Sequence, residues 1–403
     1  MNFSLDQAAL FVPSFEIERR VRSVQDLFAQ NGFDAGLLFQ NLDRFYYSGT
    51  MQPGMLYLPV QEEPLLLIRK NLERAEEESS LSAIRPLKSL SGLGPLLAEN
   101  GYGPPALLGL ELDILPAHLY LQLTHIFPNS RLLDASSTLR RCRMIKSPWE
   151  IDNLTRAADL TAGLMARVPE VLRSGMSELE LAGRLEAYLR REGHQGYIRT
   201  RGFNQEVFYG HILSGPEGTR ASYIDSPSGG LGIGPAFSQG AGFKKLRAHE
   251  PISIDYCGCF NGYIVDQTRM VSLGEPAAAV RKAYDAMREV QEILKSRTRP
   301  GITGTEVYRW ALEEAARLGY RETFMGSGTS RAAYVGHGVG LELDELPLLA
   351  ETFDWPLEES MVLALEPKVI LPEHGLVGIE NTFLLTSGGL VPLTRAPEDF
   401  LLL

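Results

Sequence analysis

Long apolar runs are missing from this chain. No stretch of its sequence approaches the roughly 18 consecutive apolar residues that a membrane-crossing helix needs, so no bilayer-spanning run is expected. Positive charge is scarce too: 39 Lys and Arg against 50 Asp and Glu leave a net charge of −11. That balance argues against a surface built for nucleic acid or anionic lipid. Cysteine is rare. Cys142, Cys257 and Cys259 are an odd set that cannot all pair within one chain. Cys257 and Cys259 lie beside Asp255, where thiolates could ligate a metal; the plainer reading is small, reduced residues in a hairpin of a cytoplasmic protein. Residues Met1 to Ser14 carry Asp6 and no basic cluster, which reads against a secretory leader. Repeats and low-complexity tracts are absent as well.

What is present is ordinary globular material: 44% hydrophobic and 22% charged residues in a chain of 403, long enough for two domains with sizeable cores. Phe15 to Gln30 places Ile17, Val21, Val24, Leu27 and Phe28 on one helical face. Strands are expected at Ala35–Phe39, Met55–Val60, Pro64–Ile68 and Ala106–Leu110, the middle two as a hairpin, with helices at Leu72–Glu78 and Leu93–Glu99. This alternation describes a small α/β domain over residues 1–142. A second domain, 143–403, opens at Ser147-Pro148-Trp149-Glu150, which has the N-cap, N1 proline and N3 acid of a capping box. Further helices are expected at Glu178–Glu192, Val280–Ser296 and Thr305–Leu318, the rest being rich in strands and glycine.

The second domain is organised around Pro251 to Arg269, which reads as two strands joined by an Asn261-Gly262 turn. Asp255 and Asp266 sit on those strands. Charges on an apolar strand are costly to bury unless a cation meets them, and a divalent ion would meet both; two turn-proximal acids facing water is the bland alternative. Three later segments repeat the theme: His337 within Gly336-His337-Gly338-Val339-Gly340, Glu366 within Leu365-Glu366-Pro367, and Glu380 within Ile379-Glu380-Asn381-Thr382.

Asp255, Asp266, His337, Glu366 and Glu380, in that order and with those neighbours, resemble the two-metal site of the pita-bread metallopeptidases. That family includes prolidases, aminopeptidase P and methionine aminopeptidase, with creatinase as a metal-free relative. The stretch Asn41 to Gly49 is similar to the amino-terminal domain of the prolidase and creatinase branch. The resemblance implies an α+β fold: a creatinase-like α/β domain, then a curved antiparallel sheet covered by helices. It implies two divalent ions (Mn, Co, Fe or Zn), Asp255 binding one, Asp266 and Glu380 bridging, and His337 and Glu366 completing the second. It also implies Glu366 as proton shuttle for a metal-bound hydroxide, and a homodimer. Thr268 and Thr382, each two residues past a bridging acid, read either as hydroxyls that orient the carboxylates or as ordinary strand residues.

The pattern departs from the family where substrate would bind. Asp344 stands seven residues after His337, where the peptidases carry a histidine; Ser238 takes the place of an upstream histidine; Leu348 follows Pro347 where dipeptide-cleaving prolidases place an arginine. Asp344 would favour a cationic or donor-rich substrate group. His211, on a strand the family uses as one wall of the site, is the candidate to replace a lost histidine. The Gly/Pro/Ser-rich loop 216–237, with Arg220, Tyr223 and Asp225, is long enough to carry specificity. The expected activity is metal-dependent hydrolysis of a peptide or amide bond, as an Xaa-Pro-type aminopeptidase or dipeptidase. The alternatives are small-molecule amide or amidine hydrolysis or a lyase on the same scaffold, or a binding module with a degenerate site.

Overall fold

Three helices of the carboxy-terminal half begin with the same local device. Ser147, Ser177 and Thr303 each accept a hydrogen bond from the backbone N–H three residues on, while Glu150, Glu180 and Glu306 reach back to the cap residue's own N–H. Each pair satisfies donors that a helix start otherwise leaves open, worth about 1 kcal/mol per cap. The computed structural model describes residues 10–224, 226–227 and 229–403, with Thr329 in its backbone alone. The expectation about Met1 to Ser14 therefore falls largely outside the described residues, as does Asp225.

The chain divides into two compact units, passing from one to the other between Arg143 and Met144. The first carries a six-stranded mixed sheet: β1 (Ala35–Leu38), β2 (Gly54–Pro59), β3 (Leu65–Ile68), β4 (Ile84–Pro86), β5 (Leu107–Leu110) and β6 (Arg131–Asp134), in the spatial order β4-β3-β2-β1-β5-β6. β2 and β3 form the expected hairpin, with Leu56 opposite Leu66. The helix Ser14–Gln30 buries Ile17, Val21, Val24 and Phe28. Asn41 to Ser48 is helical, its start capped by the Gln40 side chain.

The second unit holds the remaining strands: β7 (Gly210–Ser214), β8 (Ile252–Phe260), β9 (Tyr263–Ser272), β10 (Tyr334–Gly338), β11 (Glu345–Ala350), β12 (Val362–Leu365), β13 (Lys368–Leu371), β14 (Gly375–Gly378), β15 (Asn381–Thr386), β16 (Gly389–Pro392) and β17 (Leu401–Leu402). They build a four-stranded sheet β17-β9-β8-β7, an antiparallel five-stranded sheet β11-β10-β12-β15-β16, and the hairpin β13-β14. Asn261 and Gly262 turn β8 into β9 with φ of 48° and 85°, the left-handed backbone a tight hairpin needs.

Nearly every residue of β8 and β9 is buried, because both faces are covered. Ile252, Ile254, Tyr256 and Val271 pack with Leu160 and Leu164 of the helix Pro148–Val171. Each such leucine is worth roughly 1.5–3 kcal/mol on leaving water. Gly258 lets that helix approach: a Cβ there would lie 2.1 Å from the Ala157 carbonyl. The helices Ala278–Arg297 and Gly304–Arg317 cover the other sheet, burying Met287, Val290, Val307 and Ala311 in one core with Leu363, Leu365 and Phe383. The opposite face of β8 and β9 carries Asp255, Asp266 and Thr268 between the apolar Met270 on one side and Cys259 and Ile264 on the other. No helix is long and apolar enough to cross a membrane among the described residues.

Candidate metal centre

Strand register decides which side chains meet. Asp255 stands opposite Thr268, and Cys257 opposite Asp266, so all four leave the sheet on one face. His211 of β7 pairs with Asp255 and joins them. In the second sheet His337 lies opposite Ala364, and Ala364 opposite Thr382. Glu366 lies two residues past Ala364 and Glu380 two before Thr382, placing both carboxylates toward the same region. The sheets are stitched there by paired backbone bonds between Thr268 and Glu380, 3.3 Å in each direction.

Asp255, Asp266, His337, Glu366 and Glu380 are all buried around this seam. Asp266, His337 and Glu380 each offer a ligand atom, the three within 4.8 Å of one another. Glu380 Oε1 is buried and has no hydrogen-bond partner. A buried carboxylate oxygen left in that state is costly, and a divalent cation would remove the cost. His337 Nδ1 lies 3.0 Å from the Leu343 carbonyl, to which its N–H donates, leaving Nε2 to face Glu366 Oε1 at 3.9 Å. Two carboxylates and an imidazole suit Mn, Fe, Co or Zn. These three residues therefore fit a metal ion.

The neighbouring corner is different. Lys368 enters it from the start of β13 and donates to Asp255 Oδ2 at 2.9 Å, Glu366 Oε2 at 2.8 Å and Glu380 Oε2 at 2.9 Å. Its side chain is 2% exposed. Burial works against its charge, but Asp255, Glu366 and Glu380 outweigh that and hold the ammonium well above its ordinary pKa. At Asp255 burial pulls upward, yet Lys368 prevails and the carboxyl lies below its usual value. Asp266, which Lys368 does not hydrogen-bond, is pushed well above the carboxylate range by burial and by Glu380 and Asp255, against a smaller opposing pull from the ammonium. Burial raises Glu380 to about 8. His337 is lowered by burial but raised by Asp344, Glu366 and Asp266, for a net increase. The two acids whose pKa is raised are thus the ones beside His337, and a cation bound there would favour their deprotonated form.

Residues 152–387 match metallopeptidase family M24, and residues 20–145 match the creatinase/prolidase N-terminal domain. The chain belongs to metallopeptidase family M24. It is 25% identical over 387 residues to an Xaa-Pro dipeptidase of Pyrococcus furiosus, covering 96% of this chain and all of that one. It is 24% identical over 385 residues to the uncharacterized peptidase YqhT of Bacillus subtilis, covering 95% of this chain and 100% of the relative. Among solved structures, an Xaa-Pro dipeptidase from Bacillus anthracis superposes with a TM-score of 0.81 at 24% identity, covering 96% of this chain and 100% of the other. The prolidase from Pyrococcus horikoshii gives 0.79 at 24% identity, with 95% and 100% covered. The α+β expectation, a creatinase-type first domain and a metallopeptidase second domain, holds, and with it the expectation of a peptidase-class hydrolase.

Within this M24 scaffold the two threonines act across the seam. The Thr268 hydroxyl donates to Glu380 Oε2 at 2.9 Å rather than to Asp266. Thr382 holds the backbone of Asp266 rather than the carboxylate of Glu380. Cys257 places its thiol 3.7 Å from Asp266 Oδ1 as a donor. Burial and the surrounding carboxylates push that thiol well above its ordinary pKa, so the reading as a small, reduced residue suits it better than a thiolate ligand. All three cysteines are free and buried.

The cleft over the site is lined by His211 and Asp344, and also by Gln205, Val207, Ile224 and Tyr334. His211 Nδ1 is buried without a partner, and burial lowers its pKa despite Asp255 nearby, so the imidazole is neutral. Asp344 is 37% exposed at the rim, its Oδ1 3.6 Å from His337 Nδ1. Ser238, Leu348 and Tyr223 are not among the lining residues. Leu348 packs against the hydrophobic core instead. Ser238 receives the Ser222 hydroxyl on its carbonyl. Tyr223 is 52% exposed. The long loop does reach the cleft, but through Ile224 and Ser226; Arg220 is exposed. Lys368 escaped the sequence reading, although a lysine two residues after a lone acid, in an otherwise apolar strand, is itself the signal of a buried partner.

Proposed function

We propose that this chain hydrolyses the amide bond of short peptides, with Xaa-Pro peptides the first candidates, through a divalent ion held by Asp266, His337 and Glu380. The observation that carries the reading is the unpartnered Glu380 Oε1 beside Asp266 and His337. The names of the Pyrococcus and Bacillus relatives support the Xaa-Pro choice. Bound there, Mn, Co, Fe or Zn would polarise a water and the scissile carbonyl. Glu366 is the group to take and return a proton: Lys368 holds its Oε2 and its Oε1 faces the His337 side of the cleft. Neutral His211 can hydrogen-bond the substrate from the β7 wall. Asp344 at the rim accepts from a cationic or donor-rich substrate end, while Val207, Ile224 and Leu343 offer an apolar wall to a small side chain.

A second reading, hydrolysis of a small non-peptide amide or amidine, is favoured by one observation: the rim carries the acid Asp344, and Leu348, which would occupy the place of a carboxylate-gripping arginine, turns to the core. Turnover of Xaa-Pro dipeptides, longer Xaa-Pro peptides and simple amides or amidines, each with and without chelator, separates the two. Chelator-sensitive cleavage of peptides supports the first; turnover confined to the small amides or amidines supports the second. The division into domains 1–142 and 143–403, a cytoplasmic location supported by three free thiols, and a homodimer belong to the same reading; sedimentation at micromolar concentration tests the last.

A further inference from the structure

The Lys368 ammonium stands where a second cation would otherwise stand. It is bonded to three carboxylates at 2.8–2.9 Å, and two of them, Asp255 and Glu366, lie outside the Asp266, His337 and Glu380 group. No ion ligated by Asp255, Glu366 and Glu380 can share the volume of an ammonium bonded to the same oxygens. The lysine is built into its place. It follows Glu366-Pro367, opens β13 and pairs with Gly378 of β14. A Cβ on Gly378 would lie 2.5 Å from the Lys368 Cγ, so the lysine stem fills the space that glycine leaves. Withdrawing the ammonium would strand buried carboxylates without a counter-charge.

We propose that the centre takes one divalent ion, held by Asp266, His337 and Glu380, with the Lys368 ammonium as a permanent substitute for the second. This rests on the metal-site reading above and limits the centre to one ion, where the resemblance of the sequence implied two. The ammonium is a monovalent donor with no open coordination position. It orients Glu366 and Glu380 through Oε2 and leaves Oε1 of each facing the ion site. Lys368 is thus a positioning residue.

Equilibrium dialysis against Mn²⁺ with elemental analysis, and electron paramagnetic resonance of the loaded full chain, test the proposal without an activity readout. One ion per wild-type chain with the six-line spectrum of an isolated Mn²⁺ is expected. Lys368→Ala should bind two, with an exchange-coupled spectrum. Two coupled ions in the wild type would overturn the proposal and leave the metallopeptidase reading standing. No ion in either wild type or Lys368→Ala would overturn both. Should Lys368→Ala fail to fold, the wild-type stoichiometry and spectrum decide alone. Loss of the single ion in His337→Ala is expected, and its retention would overturn the placement.

Discussion

Thr382 grips the backbone of Asp266 from both directions: its hydroxyl accepts the Asp266 N–H at 2.9 Å and donates to the Asp266 carbonyl at 2.9 Å. One side chain of the five-stranded sheet thus sets the height of an acid on the four-stranded sheet. Thr382→Val keeps the shape and leaves two buried backbone groups unpaired, at about 1–3 kcal/mol each. Urea unfolding should show that loss. Thr268→Val removes instead the donor to Glu380 Oε2, so its larger effect should be on metal affinity, about 10–100-fold weaker by Mn²⁺ titration. Equal effects of the two variants on both measurements would refute this division.

Arg269 is fully buried and donates to the carbonyls of Thr268, Glu380, Ala396 and Pro397 and to Asn381 Oδ1. It ties the seam of the two sheets to the carboxy-terminal segment. Arg269→Met leaves those carbonyls unsatisfied and should lower stability by at least about 3 kcal/mol. A drop below 1 kcal/mol in denaturant titration would show that water replaces the guanidinium.

Glu366→Gln keeps the volume and removes the base. Catalysis should fall about 10²–10⁴-fold in kcat, while Mn²⁺ stoichiometry is unchanged. Retained kcat would assign the proton to another group.

Asp344→Asn removes the rim charge without touching the ion. For substrates with a positive end KM should rise about tenfold, and for neutral ones it should stay put, with kcat similar in both series. A uniform change across both series would deny Asp344 a part in specificity.

His194 is buried, stacked on Tyr209 with ring centroids 4.6 Å apart. Its Nε2–H donates to the Cys257 carbonyl and Nδ1 accepts the Gly196 N–H. Burial lowers its pKa from the ordinary 6.5 to about 4. Between those values the unfolded chain binds the proton and the folded one does not. Stability from this residue is therefore whole above pH 6.5 and falls with acidification, by up to about 1.4 kcal/mol per pH unit. His194→Gln should flatten the acid limb of the stability profile between pH 6.5 and 4; an unchanged slope would assign it to other groups.

Local sequence determined what local chemistry can specify. Ser147-Pro148-Trp149-Glu150 starts a helix because its orphan N–H groups are met within one turn. Asn261-Gly262 makes a hairpin because both tolerate the left-handed backbone. The acids and the imidazole were legible because charge on an apolar strand has few other uses. What depends on register between distant strands was decided by the tertiary structure alone. Thr268 serves Glu380 because the two sheets are stitched at that pair, and Leu348 turns to the core. Lys368, two residues beyond Glu366, folds back among three carboxylates, of which Asp255 lies more than a hundred residues earlier in the sequence and Glu380 twelve residues later. Spacing along a chain names the ligands of a charge; only packing shows which cation they surround.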